Sequence, residues 1–457
     1  MILRSLVAVS LLTSTAAAQL PTQNRTAERA LFEKIVETPT VYGRIGEFRK
    51  LTNLLTAEFR KAGITNVVVK DHDGTQTLIA RWVAARPSGK KPILLMAHMD
   101  VVEANPADWK NPPFEFREKD GYYLGRGASD NKAALTGIVL ALQNLKRSGF
   151  APTRDVIILF TGDEESSGNG ARRAATEWRP LIDAEYGLNS DAGGGSIYKD
   201  GRLDAFYMQV AEKTYADYKM TATNRGGHSS SPRPDNAIYA IAGALKQLEE
   251  YRFAPMINPA TRAYFERIAA GDKGSYGELI RKWLADPTNR ETADLLEAND
   301  PGYTRTRCVA TQLLGGHAPN ALPQKAEATV NCRVFPGIKL EEVRQQLQSI
   351  AGQDVTVALF DSSPASHGSP IRDDIVEAYR AAVATRFAGA NIIPMQETGA
   401  TDGAHLRNKG MPVYGVGGLW SYLNEPSGSH GLDERVLVEA FHGQVPIWEE
   451  ILRRLAG

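Results

Sequence analysis

The stretch Asp155-Val156-Ile157-Ile158-Leu159-Phe160-Thr161-Gly162-Asp163-Glu164-Glu165 decides the fold class. Its first half is an unbroken apolar run without the alternation of a half-exposed strand, so it reads as a strand buried on both faces. The run passes directly into three consecutive acids. In open α/β sheets ligands bind beyond the carboxyl ends of the strands. Three adjacent carboxylates repel one another, so a counter-charge is expected beside them. Taken alone, the acids are also explained by a solvated acidic turn.

Outward from this strand, helix and strand signals alternate. Residues 77–83 and 92–97 read as strands, 131–147 as a helix that stops before Gly149, 171–178 as a helix and 186–189 as a short strand. Ahead of them, residues 26–64 carry apolar residues at helical spacing in two runs, Leu31, Ile35, Val36 and then Phe48, Leu51, Leu55, Phe59. This alternation predicts an α/β sheet with helices on both faces. Beyond residue 212 the pattern changes to β-α-β-β-α-β, with strands at 218–222, 307–313, 326–335 and 355–360 and helices at 236–251 and 340–350. A polar, proline-broken insertion, 252–303, interrupts it, and helix 371–386, strand 411–416 and helix 433–454 close the chain. The expected architecture is a mixed-sheet α/β catalytic domain, residues 19–212 and 363–457, interrupted by an inserted α+β lid domain, 213–362.

The 457 residues suffice for two domains, and 53 basic residues against 53 acidic give zero net charge, which offers no electrostatic reason to expect nucleic acid or an anionic membrane as partner. Residues 1–18 combine Arg4, a short apolar core and Ala16-Ala17-Ala18, the layout of a secretory signal peptide cleaved before Gln19. An exported chain, periplasmic or secreted and free of the membrane after cleavage, is expected. Cys308 and Cys332 lie in strand-like segments flanking the turn-like Gly315–Asn320; an antiparallel pairing there would set them opposite each other, and two buried thiols are the alternative.

Four further segments bear on chemistry. Leu94-Leu95-Met96-Ala97-His98-Met99-Asp100 ends an apolar strand in a His and an Asp two apart, which period-2 geometry puts on one face. Gly125-Arg126-Gly127-Ala128-Ser129-Asp130 is a glycine-rich loop with an acid at the mouth of a helix, where an ordinary N-cap also fits. Gly187–Asp191 is a strand-like segment ending in an acid, and Pro426–Gly431 carries His430 in a Gly/Ser loop. Each is weak alone. Together they place His, Asp, Glu-Glu, Asp and His at strand ends or in the loops beyond, and nitrogen and carboxylate donors suit zinc, with a carboxylate able to bridge two ions.

In order and wording these motifs resemble the di-zinc metallopeptidase family of bacterial glutamate carboxypeptidases, succinyl-diaminopimelate desuccinylases, carnosine-type dipeptidases and aminoacylases, most strongly in Met96–Val102, Gly125–Lys132 and Thr161–Glu165. The resemblance covers nearly all of the chain after residue 18. It implies two divalent metal ions, zinc foremost, with cobalt or manganese accepting the same ligands. His98 and Asp191 would hold one, Glu165 and His430 the other, and Asp130 both, followed by a non-proline cis peptide. Asp100 would orient His98, and Glu164 would be the general base; the residues alone do not choose between Glu164 and Glu165. His228, in Arg225–Ser230, matches a lid-loop histidine that stabilises the oxyanion and that dimeric members draw from the partner subunit. Asn320 and Arg333 match substrate contacts, Arg333 for a carboxylate. The implied function is a metal-dependent hydrolase cleaving dipeptides or short peptides, of exopeptidase, carboxypeptidase or dipeptidase type, by hydroxide bridging two metals. Deacylation of N-acyl amino acids is the alternative activity, and a catalytically inactive metal-binding relative the alternative of another class. A homodimer through the inserted domain is implied too. The 252–303 insertion, absent from the smallest members, is expected to enlarge the lid. His405 is a further histidine without an assigned role, and His72, His367 and His442 fit no ligand pattern.

Overall fold

The computed structural model describes residues 22–457 other than Ser366 and Pro426. The expected signal peptide, residues 1–18, lies outside the described residues. The larger of the two main sheets has ten strands. Its core is four neighbours: Thr75–Trp82, Val156–Thr161, Ile93–His98 and Tyr186–Asn189. The last three run parallel, so their carboxyl ends share one edge.

The buried-strand reading is explained side chain by side chain. Val156, Ile158 and Phe160 pack with Ile93, Leu95 and Ala97 on one face, under helices Lys132–Arg147 and Val438–Ala456. Ile157 and Leu159 pack with Leu94 and Met96 on the other, under Ala171, Ala174 and Leu406. Because successive side chains alternate between faces, a strand covered on both sides must be apolar at every position.

The second sheet has four antiparallel strands in the order Arg307–Gly315, Lys325–Val334, Thr214–Thr223, Thr356–Ser362. Helices Ala237–Glu250 and Leu340–Ala351 bury one face of it, against Tyr218, Met220, Val330 and Cys332. Cys308 and Cys332 face each other in the register and are joined as a disulfide. Among the described residues no helix is long and apolar enough to cross a membrane.

The sequence reading missed five strands of the large sheet: Asn66–His72, Gly194–Ile197, Leu203–Glu212, Ile392–Glu397 and Trp420–Tyr422. Ile392–Glu397 contains Pro394, which argues against a strand; it fits because this strand pairs on one side only, with Leu203–Glu212. The final helix starts at Val438 rather than near 433, since Asp433 has positive φ and Glu434 is committed to a loop contact.

The insertion does not enlarge the lid as expected. It folds into helices Pro259–Gly271, Ser275–Ala285 and Arg290–Glu297, which bury Phe265, Ile280, Trp283 and Leu296 against Ala205 and Ile393 of the large sheet. Its apolar positions complement the face exposed by Leu203–Glu212 and Ile392–Glu397, not the small sheet. Replacing a fully buried Trp by Ala costs about 3–5 kcal/mol. Trp283→Ala is therefore expected to lower stability by that order in a urea titration, and a loss below about 1 kcal/mol would contradict this packing.

Candidate metal centre

The carboxyl edge of the three parallel strands delivers the site. His98 is the last residue of its strand, Asp163-Glu164-Glu165 follows Val156–Thr161 after one glycine, and Asp191 lies just past Tyr186–Asn189. Two loops complete it, one carrying Asp130 before helix Lys132–Arg147 and one carrying His430.

Asp130 joins the two halves. One of its oxygens lies 2.9 Å from His98 Nε2, and the other lies 3.4 Å from His430 Nε2. Asp191 approaches His98 Nε2 at 3.2 Å, and Glu165 approaches His430 Nε2 at 2.9 Å. Two triads result, His98–Asp130–Asp191 and Asp130–Glu165–His430, each with one donor atom per residue within 4.8 Å of the others. His98 is 1% exposed, whereas the His430 side chain is 57% exposed, so one histidine is enclosed and the other open to solvent. The peptide after Asp130 is cis, as the resemblance implies.

Side chains behind the triads hold them in place. His98 Nδ1 donates to the Asp100 carbonyl at 3.0 Å, which leaves the Nε2 lone pair turned to Asp130 and Asp191. The Asp100 carboxylate lies 3.5 Å from Nδ1, so it orients His98 less closely than its own backbone does. Its two oxygens instead accept the amides of Glu164 (3.2 Å) and Glu165 (3.0 Å), fixing the turn that aims both glutamates. Asn131 donates to Asp191 at 2.7 Å.

Glu434, which the sequence reading did not single out, organises both loops. It accepts the backbone N–H groups of Gly127, Ser129 and Asp130, each at 2.9 Å, and pairs with Arg126 at 2.8 Å. Arg126 in turn donates to the Gly431 carbonyl at 3.0 Å, next to His430. His430 has φ +62°, a left-handed conformation sustained by such a surround. The signal was present: an acid four residues after His430, and an Arg between two loop glycines.

The electrostatics suit cations. Burial pushes Glu165 up to about 7 and holds Glu164 well above the usual carboxylate range, with the Asp191 charge adding to the Glu164 shift. Burial also raises Asp191 and, with Asp163 beside it, Asp402. For His98, burial opposes the charged form, yet Asp191, Asp100 and Asp130 raise its pKa well above normal. A hydrogen bond to Asp130 lifts His430 to about 9. The donors are competing for protons in place of a shared positive charge. A divalent cation in each triad removes that competition, so the nitrogen and oxygen donors fit two such ions.

The remaining sequence-derived residues are divided. Arg333 lines a cleft of about 880 Å³ together with Glu164, Glu165, Tyr215 and His405. Its guanidinium lies 5.0 Å from the Tyr215 ring centroid. His228 and Asn320 are exposed on neighbouring segments of the small domain, where the Ser229 amide donates to the Asn320 carbonyl, and His228 Nδ1 accepts from the Ser230 amide. Neither lines the cleft that holds Glu164. His72 and His442 are buried in packing contacts with Thr77 and with Glu28 and Tyr123.

Removing Glu434 strands Arg126 as a buried unpaired charge, a change that typically costs about 3–5 kcal/mol. Glu434→Ala is expected to lose stability of that order by chemical denaturation and to weaken divalent-metal binding in a competition titration. Metal affinity equal to wild type would show that the loop does not depend on this carboxylate.

Comparison with known proteins agrees with this geometry. Residues 94–454 match the model of peptidase family M20/M25/M40. The N-fatty-acyl-amino acid synthase/hydrolase PM20D1 of Xenopus tropicalis is 28% identical over 79% of this chain and 72% of its own length. A probable carboxypeptidase S-like 2 of Dictyostelium discoideum is 25% identical over 82% and 74%. Among solved structures, the M20 family metallo-carboxypeptidase Sso-CP2 of Sulfolobus solfataricus superposes with a TM-score of 0.68 at 17% identity, over 93% of this chain and 98% of that one.

Proposed function

This chain belongs to peptidase family M20/M25/M40 and is a hydrolase, and from that premise we propose that it cleaves the amide bond preceding a carboxylate-bearing residue, in dipeptides, short peptides or N-acyl amino acids. The observation that carries the reading is Asp130, whose two oxygens reach the two histidine-bearing halves of the centre at once. His98 and Asp191 would hold one divalent cation and Glu165 and His430 the other, with Asp130 shared; zinc suits the donors, and cobalt or manganese would accept them.

When bound, such a pair polarises a carbonyl and acidifies water. The chain supplies the rest. Glu164, enclosed beside the triads and in no contact with either histidine among those described, takes a proton from the attacking water and returns it to the leaving amine. Arg333 receives the substrate carboxylate. The inserted unit, residues 213–362, acts as the lid: closure, or a second copy of the chain, brings His228 and Asn320 to the developing oxyanion and the substrate. Residues 1–18 direct export.

Deacylation of N-acyl amino acids breaks the same kind of bond, and the resemblance to a named N-acyl amino acid hydrolase supports it. An inactive metal-binding relative is disfavoured by the complete set of His98, Asp130, Glu164, Glu165, Asp191 and His430.

Loss of a general base costs about 100-fold or more. Glu164→Ala is expected to reduce turnover of a dipeptide and N-acyl amino acid panel by at least that factor while metal content stays near wild type. A residual rate above about a tenth would remove Glu164 from the mechanism. Arg333→Ala deletes a charge-assisted contact worth about 1.5–3 kcal/mol, so kcat/KM should fall about tenfold or more, mainly through KM. An unchanged KM would place the carboxylate elsewhere.

A further inference from the structure

Apart from the cleft, a small cavity of about 250 Å³ touches Asp130 and Asp191 and so belongs to the metal centre. Another, of about 1050 Å³, touches none of the metal-centre residues and shares a single wall residue with the cleft, Arg333. Its walls come from three parts of the chain. The small domain supplies Tyr251, Val309 and Arg333, the insertion supplies Asp294 and Glu297, and Thr398 lies just past strand Ile392–Glu397 of the large sheet.

Charge in this larger cavity is not balanced. The acids of its lining are all engaged. Asp294 lies 2.7 Å from Arg305 and Glu249 lies 3.0 Å from Lys246. Glu297 accepts the amides of Gly302 and Thr304 at 2.9 Å each and lies 3.2 Å from Arg307. Lys213, Arg252 and Arg333, also in the lining, have no carboxylate partner among the described residues. Lys213 donates to the Arg305 carbonyl at 2.6 Å, Arg252 donates to the Glu249 and Tyr251 carbonyls, and Arg333 faces the Tyr215 ring. Burial lowers Lys213 to about 8 against the pull of Glu297, and the charges of Arg307 and Arg333 add to the fall. Arg305 is 3% exposed, and its Nη2 has no hydrogen-bond partner among the described residues. A cavity with surplus charge of one sign concentrates counter-ions, and guanidinium forks match carboxylates.

Two features set the shape of the ligand. The three unpartnered cations stand on separate segments of the chain, so they suit two anionic groups held apart better than one compact ion. Part of the lining is apolar: Leu248, Val309 and the edge-to-face pair Tyr251 and Phe253, with ring centroids 5.0 Å apart. The volume stands at the upper end of the roughly 300–1,000 Å³ of pockets that enclose small organic molecules.

We propose that this cavity binds an organic dicarboxylate with an apolar body, at a site separate from the metal centre. Arg333 stands in both walls, so the bound dicarboxylate lowers the positive potential that Arg333 offers the cleft and weakens the capture of substrate. This consequence, unlike the site itself, rests on the reading of Arg333 given above.

The test is calorimetric titration of the metal-loaded protein with terephthalate, whose two opposed carboxylates cannot close on one metal ion, beside benzoate and sulfate. Terephthalate is expected to bind about tenfold or more tighter than either. Arg252→Glu, on an exposed side chain, and Val309→Trp, which fills the cavity without changing its charge, should each weaken it about tenfold or more. Lys409→Glu, in the cleft, should leave it within about twofold. With terephthalate present, KM for a hydrolysed substrate should rise about threefold or more at unchanged kcat, and the rise should vanish in Arg252→Glu. Binding no tighter than that of benzoate or sulfate overturns the site, as does binding that survives both Arg252→Glu and Val309→Trp or that Lys409→Glu abolishes. A KM that stays put while terephthalate binds overturns the link to the cleft. The calorimetry needs no turnover, so failure of the hydrolase reading shows separately, as inactivity toward the whole substrate panel without terephthalate.

Discussion

The constraint on which the structure turns is the crowding of carboxylates at one edge of a parallel sheet. Glu164 and Glu165 on one side and Asp191 on the other are delivered there by the two strands that flank Ile93–His98, and Asp130 is brought in by a loop. Burial raises Glu164, Glu165 and Asp191, and the two histidines are pulled toward protonation. A fold that gathers unlike-tempered donors this way is stable and useful together only around positive charge. The apolar sheet makes the positions rigid, and the charge makes them worth occupying.

Rigidity at the strand ends does not extend by itself to the loops bearing Asp130 and His430, which are 300 residues apart. Glu434 and Arg126 bridge that gap. One carboxylate collects three amides from the Asp130 loop and a guanidinium, and the guanidinium holds the carbonyl beside His430. A buried pair of this sort gains little as a pair. Its effect is positional, since Asp130 can serve both halves of the centre only if the two loops keep a fixed separation.

Much of this was legible in the sequence because it follows from short-range rules. Val156–Phe160 had to be doubly buried, His98, Glu164, Glu165 and Asp191 sit at or just past the ends of strands, and Asp130 sits at the mouth of a strongly patterned helix. What escaped depends on contacts between distant segments. Ile392–Glu397 reads poorly as a strand until Leu203–Glu212 is beside it to make Pro394 an edge residue. Glu434 is an ordinary loop acid until Gly127, Ser129 and Asp130 point their amides at it. Glu164 and Glu165 are neighbours of one residue type; only their partners tell them apart, with Glu165 on His430 and Glu164 in neither triad.

The placement of the insertion bears on assembly as well. Had helices Pro259–Gly271, Ser275–Ala285 and Arg290–Glu297 been layered on the small domain, they would have competed for its surface. They pack on the large sheet instead. Strand Arg307–Gly315 is thereby left as an edge, with Val309 61% and Leu314 68% exposed. An edge strand carrying uncovered aliphatic side chains is a surface that proteins ordinarily blunt or pair. The same small domain carries His228 in a separate two-residue strand paired with Ala321–Leu322, and His228 lines neither the cleft of its own chain nor the small cavity beside Asp130. The packing of the insertion on the large sheet thus leaves both this edge strand and the His228 segment of the small domain uncovered.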